Sequence, residues 1–305
     1  MKHFSIVKKA KVFFSISLIF LLVGVVSMLT RGFNLGIDFT GGSIIDVKFE
    51  NPVTVSEVRD VLSDHKLGSS IIQLGSMDGQ QTEESQSVLI RTGIISDDQR
   101  VETMTDMTNR LGPNEVLRVE NVGATVGRDL VKSAMGAVAL SWVLMIIYIT
   151  IRFEHNFAFA AIIALIIDVM VTLSWFSLLQ LEMDSSFVAG PPSGGWLPHP
   201  LLTVVGYSIN GTIVIFDRIR ENLHTHRRSE SLGDMVDNSI WQTMNRSIYT
   251  SATTLFAVIA IFLFGGETIR NFSFAMLVGF SSGFYTSTFL AGPLWIKLRS
   301  RGTHK

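Results

Sequence analysis

Six long apolar stretches dominate this chain of 305 residues and constrain its fold more than any other feature. They cover residues 12–29, 133–151, 157–181, 201–216, 248–264 and 272–296. A mostly apolar stretch of about 17 to 25 residues can cross the roughly 30 Å hydrocarbon core of a bilayer. The composition agrees, because 47% of the residues are hydrophobic and only 17% are charged. The sequence therefore predicts an α-helical polytopic membrane protein with six transmembrane helices.

The positions of the basic residues predict the orientation of these spans. The first span is too long for a signal peptide and lacks a small-residue cleavage pattern, so we interpret it as a retained anchor. If the six spans cross the membrane in alternating directions, most basic flanking residues fall on one side. On the other side, the loop between spans three and four has no Lys or Arg, and the loop between spans five and six has only Arg270. Since short cytoplasmic flanks carry the excess of Lys and Arg, we expect both termini to be cytoplasmic. The basic flanking residues are Lys2, Lys8, Lys9, Lys11, Arg152, Arg218, Arg220, Arg227, Arg228, Lys297, Arg299, Arg301 and Lys305.

The long segment between the first two spans has the pattern of a soluble α+β domain. The stretch "SIIDVKFE" alternates like a strand, "TVSEVRDVLSDHKLG" has helical spacing with a Thr cap, and "SSIIQLG" again resembles a strand. The same order recurs in "QSVLIRT", "SDDQRVETMTDMTNRLG" and "EVLRVENVG". Two such βαβ units predict a ferredoxin-like extracytoplasmic domain. The predicted division is 1–30 for the N-terminus and first span, 31–130 for this domain, and 131–305 for spans two to six with a cytoplasmic C-terminus.

Composition excludes several functional classes. The chain has no cysteine, so it forms neither disulfides nor thiolate metal sites, and its seven histidines show no metal-ligand spacing. A net charge of -1 with basic residues at span ends does not favour nucleic acid. Acidic residues outnumber basic ones in the 31–130 domain, which disfavours anionic lipid headgroups, although the spans themselves contact membrane lipid. We expect no cofactor, no metal and no catalytic residue.

Polar residues within the spans are the candidates for function. An ionisable group at membrane depth costs several kcal/mol on insertion scales, so it usually faces a bundle interior, a partner or a water path. Two roles are open for Asp168. It either relays protons or ions, or it forms a structural hydrogen bond to a neighbouring helix. Arg246 lies near the start of span five, where a snorkelling arginine is an equal alternative, and Asp217 is more typical of an interface. We expect Ser251, Thr253 and Thr254 to make hydrogen bonds in helix packing.

Four motifs in the sequence resemble the SecF family of the bacterial SecDF accessory complex in protein export. They are "FNLGIDFTGG" at 33–42, "VGYSIN" and "TIVIFDRIREN" on either side of Gly211, "NRSIYTSATTL" from Asn245, and "FLFGGETIRNFSFAMLVG" at 262–279. The resemblance runs from the first span to the last. It implies a relative of the RND transporter superfamily that sits in the bacterial plasma membrane and pairs with SecD. It also implies YajC and the SecYEG channel as partners, and use of the proton motive force to promote translocation of unfolded preproteins.

The resemblance assigns roles to individual residues. Family members usually have "GYSIND", in which the span-four Asp is a proton-relay carboxylate opposed to an arginine that Arg246 matches; here the carboxylate position is Gly211, after Asn210. Asp168 matches the family's span-three aspartate, although Ile167 stands where a His commonly precedes it. Neither Gly211 nor Asn210 can change protonation near neutral pH. Two further motifs carry over: the cytoplasmic helix end with Asp217, Arg218, Arg220 and Glu221, and the extracytoplasmic entry with Gly36, Asp38, Phe39, Gly41 and Gly42.

A second departure from the family is a proline- and glycine-rich insert. "PPSGGWLPHP" separates "FVAG" from "LLTVVGY", and its four prolines and two glycines cannot continue a helix. We expect it to shorten span four to about 16 apolar residues. The segment at 190–200 fits an outer loop, a re-entrant turn or a sequence anomaly.

Several functions remain open at this stage. The chain is a proton-driven transport subunit, a non-transducing assembly subunit that holds SecD, or half of an RND-type transporter. Retained Asp168 and Arg246 favour proton coupling, whereas Gly211 favours the assembly role. An intramembrane aspartyl protease using Asp168 and Asp217 is disfavoured because the GxGD motif is missing and the two residues are expected at different depths.

Overall fold

The computed structural model describes residues 4–36, 39, 41–75, 84–183, 200–225, 231–265 and 269–302. The chain divides into two compact units, one formed by Met1–Asn34 and Ala134–Lys305 and the other by Leu35–Ser133. Its described part contains six helices that are long and apolar enough to cross a membrane, as the sequence predicts. Most of the proline- and glycine-rich insert, together with Arg227 and Arg228, lies outside the described residues.

The helices and strands follow one another in a simple order. The helices are α1 (Ala10–Thr30), α2 (Val55–Asp64), α3 (Asp97–Leu111), α4 (Ala124–Arg152), α5 (His155–Leu179), α6 (Pro200–His224), α7 (Leu232–Phe264), α8 (Arg270–Tyr285) and α9 (Gly292–Gly302). A π-helical segment, Thr286–Ala291, joins α8 to α9, and the three together form the sixth span. The strands are β1 (Asn34–Leu35), β2 (Gly42–Thr54), β3 (Ile71–Gly75), β4 (Glu84–Thr92), β5 (Asn114–Val122) and β6 (Glu182–Met183).

The Leu35–Ser133 unit has the ferredoxin-like topology that its sequence pattern predicts. Its four strands pair in the order β3-β4-β2-β5, and every pairing is antiparallel. The alternation in β2 places Ile45, Val47 and Phe49 in the core, where they pack with residues of α2 and α3. Thr54 caps α2 through a capping box with Glu57. The backbone N–H of Thr54 donates to the carboxylate at 2.8 Å, and this hydrogen bond lowers the pKa of Glu57.

Two helix pairs of the membrane bundle approach closely because small residues line their contacts. A Cβ added at Gly24 of α1 would lie 1.8 Å from Ser174 Oγ of α5. One turn further on, the hydroxyls of Ser27 and Ser177 are 2.9 Å apart. Such small faces let membrane helices pack by van der Waals contact where lipid removes the hydrophobic driving force. The second pair, α6 and α8, positions the functional site and is described below.

Helices α6 and α7 extend beyond the apolar stretches that identify them in the sequence. Helix α6 has 25 residues, not about 16, because Pro200 suits a first helical turn and polar residues as far as His224 continue the helix. Helix α7 begins at Leu232, after its Ser231 cap, so Arg246 is the fifteenth of the 33 residues of this helix. At 1.5 Å per residue α7 is about 50 Å long, which exceeds the hydrocarbon thickness.

The N-terminal segment explains why the polar first turns of α7 are ordered. Val7 donates its backbone N–H to Asp237 Oδ1 at 2.9 Å, and Ser5 also donates to that carboxylate. Trp241 Nε1 donates to the carbonyl of Phe4 at 2.9 Å. These contacts fix the chain ahead of α1 onto the start of α7.

Candidate ion-relay site

Asp168 lies on α5 in the interior of the bundle, fully enclosed by protein. Three hydroxyl groups donate to its carboxylate. Ser282 of α8 donates to Oδ1 at 2.6 Å, Thr286 donates to both oxygens at 2.9 Å, and Ser208 of α6 donates to Oδ2. Since buried polar groups are costly unless hydrogen-bonded, this hydroxyl cage stabilises the carboxylate within an otherwise apolar bundle. Within the described part of the chain, no basic residue pairs with it.

Two glycines of α8 bring Ser208 and Ser282 to the same carboxylate. A Cβ at Gly279 would lie 2.1 Å from a methyl carbon of Val204, and one at Gly283 would lie 3.0 Å from the Cβ of Ser208. Gly279 and Gly283 form a GxxxG spacing, which lets two membrane helices touch backbone to backbone. Helices α6 and α8 therefore approach closely at the level of Asp168.

The π-helical segment supplies the third hydroxyl. Thr286 is its first residue and lies four positions after Ser282, so both side chains project from neighbouring turns of one helix face. Single π-helical turns are rare and occur often at functional sites. In this chain the π-helical segment begins at Thr286, where the sixth span contacts Asp168.

A second polar feature lies nearby, where residues of α6, α7 and the sixth span line an open cavity of about 60 Å³. Gly211, Asn210 and Arg246 line it, together with Ser247 and Ser287. A Cβ at Gly211 would lie 3.2 Å from Ser287 Oγ, a contact that a rotatable hydroxyl can relieve. The structure thus brings Gly211 and Arg246 to one cavity, the two positions that the family resemblance pairs. Arg246 makes no ion pair among the described residues, so it does not pair with Asp168 in this chain.

The predicted packing residues of α7 behave differently from one another. Tyr207 of α6 donates its hydroxyl to Ser251 Oγ at 3.0 Å, so Ser251 does make a hydrogen bond between helices. Thr253 and Thr254 instead donate to carbonyls of α7 itself, those of Tyr249 and Thr250, at 2.9 Å each. The prediction is wrong for these two residues because a β-branched hydroxyl in a helix can satisfy itself on the preceding turn.

The charged end of α6 contacts the C-terminal residue of α4 and also forms an ion pair within α6. Asp217 pairs with Arg152 at 3.8 Å, and Arg220 donates to the carbonyl of Arg152 at 3.3 Å. Arg218 pairs with Glu221 one turn along the same helix at 2.7 Å. Asp217 follows Ser208 by nine residues, or about 14 Å along α6. Asp168 and Asp217 are therefore far apart, which removes the geometry that an aspartyl protease needs.

The entry motif is only partly described. Gly41 and Gly42 have φ values of 74° and 146°, a backbone region that favours glycine, directly before β2. Gly36 and Phe39 precede them in the chain, and the N–H of Phe39 donates to the carbonyl of Gly36 at 3.1 Å. Asp38 lies outside the described residues.

Sequence reasoning missed Ser282 and Thr286. The signal available was a run of hydroxyl residues, "SSGFYTST", inside an apolar span. Hydroxyl residues in membrane helices usually bond to their own backbone, so this run alone does not identify Asp168 as the acceptor.

A six-span bundle with a fully buried, hydroxyl-bound carboxylate, and with a ferredoxin-like domain inserted after the first span, defines a polytopic helical membrane protein with an extracytoplasmic α+β domain. The profile for "Protein export membrane protein SecD/SecF, C-terminal" matches residues 102–301, and the profile for the "SecD/SecF GG Motif" matches residues 26–53. The chain belongs to the SecF family of protein translocase subunits, which confirms the resemblance seen in its sequence.

Individual relatives agree with this assignment. The protein translocase subunit SecF of Acidaminococcus fermentans is 75% identical over 301 residues, which are 99% of this chain and 99% of that protein. SecF of Sebaldella termitidis is 40% identical over 96% of this chain and 91% of its own length. The crystal structure of SecDF from Thermus thermophilus superposes with a TM-score of 0.84 at 30% identity, over 98% of this chain. This chain spans 39% of that longer chain.

Proposed function

We propose that this chain works with a SecD partner to promote preprotein translocation across the bacterial plasma membrane, driven by the proton motive force. The observation that carries the proposal is Asp168, a carboxylate held by hydroxyl groups of the fourth and sixth spans. Any change in its protonation alters hydrogen bonds to both spans at once, which links proton movement to helix rearrangement. The SecYEG channel, YajC and the unfolded preprotein complete the proposed assembly.

Two exposed helix faces support a helical partner. In the most apolar 18-residue stretch of each helix, only 6% of the second span and 11% of the fifth are buried within the chain. On the fifth span, α7, the exposed residues include Arg246, whose charged guanidinium lipid would not satisfy. A membrane partner that covers this face would meet that requirement, and SecD is the partner that the SecDF relatives indicate.

A non-transducing assembly role is the second candidate, and Gly211 is the observation that favours it. A glycine at this position leaves the cavity beside Arg246 without a carboxylate. In this alternative the chain holds SecD and presents its outer domain to emerging polypeptides, while proton movement does not pass through α6.

Complementation of a SecF-depleted bacterium, with and without Gly211→Asp, separates the two candidates. A carboxylate at this position would face Arg246 across the cavity and add a titratable group, so we expect Gly211→Asp to increase uncoupler-sensitive export. Arg246→Ala should then abolish the gain, because it removes the counter-charge that the new carboxylate would face in this cavity. The measurement is release of a secreted reporter from membrane vesicles with and without an uncoupler.

The control for this experiment is co-purification with SecD, which shows that each variant assembles. If the unmodified chain rescues growth and Gly211→Asp leaves export unchanged in an assembled complex, a relay through α6 is contradicted. That result would support the assembly role. Failure of the unmodified chain to rescue export at all, despite assembly, would contradict both candidates.

The charge distribution of the chain leads to a separate prediction, which concerns its membrane topology. Because basic residues flank the proposed cytoplasmic ends, reporters fused after Lys305 and near Arg227 are expected in the cytoplasm, and one near Gly79 outside. Paired alkaline phosphatase and fluorescent protein fusions measure this, since each is active on only one side. A cytoplasmic signal from the Gly79 fusion would contradict the proposed orientation.

A further inference from the structure

The C-terminal ends of α1 and α5 are joined by a series of hydrogen bonds. The buried hydroxyl oxygens of Ser27 and Ser177 are 2.9 Å apart, and Ser177 donates to the carbonyl of Gly32 at 2.9 Å. A hydroxyl has one proton to donate, so Ser27 is the donor to Ser177. Arg31 donates to the carbonyl of Leu178 at 3.3 Å. These contacts tie the end of α1 to the last turn of α5.

Contacts on either side extend this connection. Asn34 donates to the carbonyl of Gln180 at 3.1 Å, just after the two helices end. In the other direction, the missing side chain of Gly24 lets α1 approach so closely that an added Cβ would lie 1.8 Å from Ser174 Oγ. We name the whole set of contacts the α1–α5 clamp, and it joins residues 24–34 to residues 174–180.

The clamp differs in its chemistry from the contacts of Asp168. Its polar groups are serine hydroxyls, a guanidinium, an amide and backbone carbonyls, none of which changes protonation near neutral pH. The Asp168 carboxylate binds α6 and the sixth span through hydroxyl donors, and these hydrogen bonds change when it gains a proton. Protonation therefore alters the contacts of α5 with α6 and the sixth span but leaves its connection to α1 intact.

Helix α1 contacts the sixth span near its other end. Phe13 stacks on Phe289 with ring centroids 4.7 Å apart, and Tyr285 donates its hydroxyl to the carbonyl of Phe13 at 2.9 Å. Ser27 lies about 21 Å further along α1. A tilt of α1 about Phe13 therefore displaces the clamp end of the helix most.

We propose that α1 and α5 form one rigid unit, held by the α1–α5 clamp, that carries any displacement of α5 to the start of the outer domain. The Leu35–Ser133 unit begins directly after Asn34, the last clamp residue of α1 and its extension. The step in which proton movement displaces α5 rests on the proposed function, whereas the rigidity of the unit does not.

The test is a disulfide across the clamp. The chain has no cysteine, so Ser27→Cys with Ser177→Cys introduces both of its thiols. The oxygens that they replace are 2.9 Å apart, close to the roughly 2 Å of a disulfide bond. In the purified complex with its membrane partner, in detergent and without a gradient, we expect complete oxidation, measured by loss of maleimide labelling of this chain. Incomplete oxidation would overturn the proposal, because the two ends would then separate.

Export by the oxidised complex tests whether the two helices move together. Uncoupler-sensitive export from vesicles should be the same with and without the disulfide. Loss of export on oxidation, with recovery in reductant, would overturn the proposal, because α1 and α5 would then have to slide past each other. The single variants Ser27→Cys and Ser177→Cys are the matched controls for the oxidant.

A cross-link between α5 and the sixth span provides the contrast. The rings of Phe176 and Phe274 have centroids 6.1 Å apart, so Phe176→Cys with Phe274→Cys can be joined by a short bifunctional thiol reagent. Export should stop when the reagent is added, and unchanged export by the cross-linked complex would overturn the proposal. If the unmodified complex shows no uncoupler-sensitive export, the proposed function is contradicted instead, and oxidation in detergent still decides whether α1 and α5 form a rigid unit.

Discussion

Asp168→Asn is expected to abolish uncoupler-sensitive export while the chain still assembles with its partner. The amide has nearly the same volume as the carboxylate, and the three hydroxyls around it can rotate so that they accept as well as donate hydrogen bonds. Packing of α5 against α6 and α8 is therefore retained, and only the titrating group is lost. The measurement is reporter export from vesicles with and without an uncoupler, alongside recovery of the complex.

Asp168→Ala provides a contrast to this isosteric change. It removes the acceptor of the buried hydroxyls of Ser208, Ser282 and Thr286, and each hydroxyl left unsatisfied costs about 1 to 3 kcal/mol. We therefore expect poor assembly as well as lost export. The matched control is Thr172→Val, one turn along α5, because Thr172 is equally buried but donates only to the carbonyl of Asp168 at 2.9 Å. Full uncoupler-sensitive export by an assembled Asp168→Asn complex would exclude Asp168 from proton coupling.

The outer domain could be predicted from its sequence almost element by element. Its strands alternate with a period of two, so Val47 and Phe49 had to share one face, and its helices carry local signals such as the Thr54 cap. The membrane helices were equally clear where apolar residues are continuous. The first turns of α7 were missed because they are polar. Their order depends on contacts of Asp237 with Val7 and of Trp241 with Phe4, and the partners in each contact lie more than 200 residues apart in the sequence.

The candidate site was predictable only in part, for a similar reason. Asp168 is conspicuous in the sequence because a carboxylate in an apolar span needs an explanation. The identity of its partners depends on the register between α5, α6 and α8 and on the π-helical turn at Thr286, and periodicity within one helix contains no information about either. The pairing of Gly211 with Arg246 at one cavity also depends on packing, although the family resemblance indicated it.

Gly279→Ala is expected to disrupt the contact between α6 and α8 and, with it, the site. Only one methyl group is added, but its carbon would lie 2.1 and 2.6 Å from the two methyl carbons of Val204, which is fully buried. The helices must separate or Val204 must leave its rotamer, and overpacking of this kind costs about 1 to 3 kcal/mol and sometimes more. Separation would draw Ser208 away from Asp168. The unfolding midpoint of the purified complex and its uncoupler-sensitive export should both fall.

Two further variants show whether this effect arises from the helix contact itself. Gly206→Ala adds the same methyl group to α6 where nothing lies within 4 Å, so it should leave both measurements unchanged. Val204→Ala removes the two methyl groups that clash, so the double variant with Gly279→Ala should recover part of the lost stability and export. If Gly279→Ala behaves like Gly206→Ala, the two helices do not depend on this close approach. The hydroxyl cage around Asp168 would then need another explanation, because the Gly279 and Gly283 contacts are what place Ser208 and Ser282 on the same carboxylate.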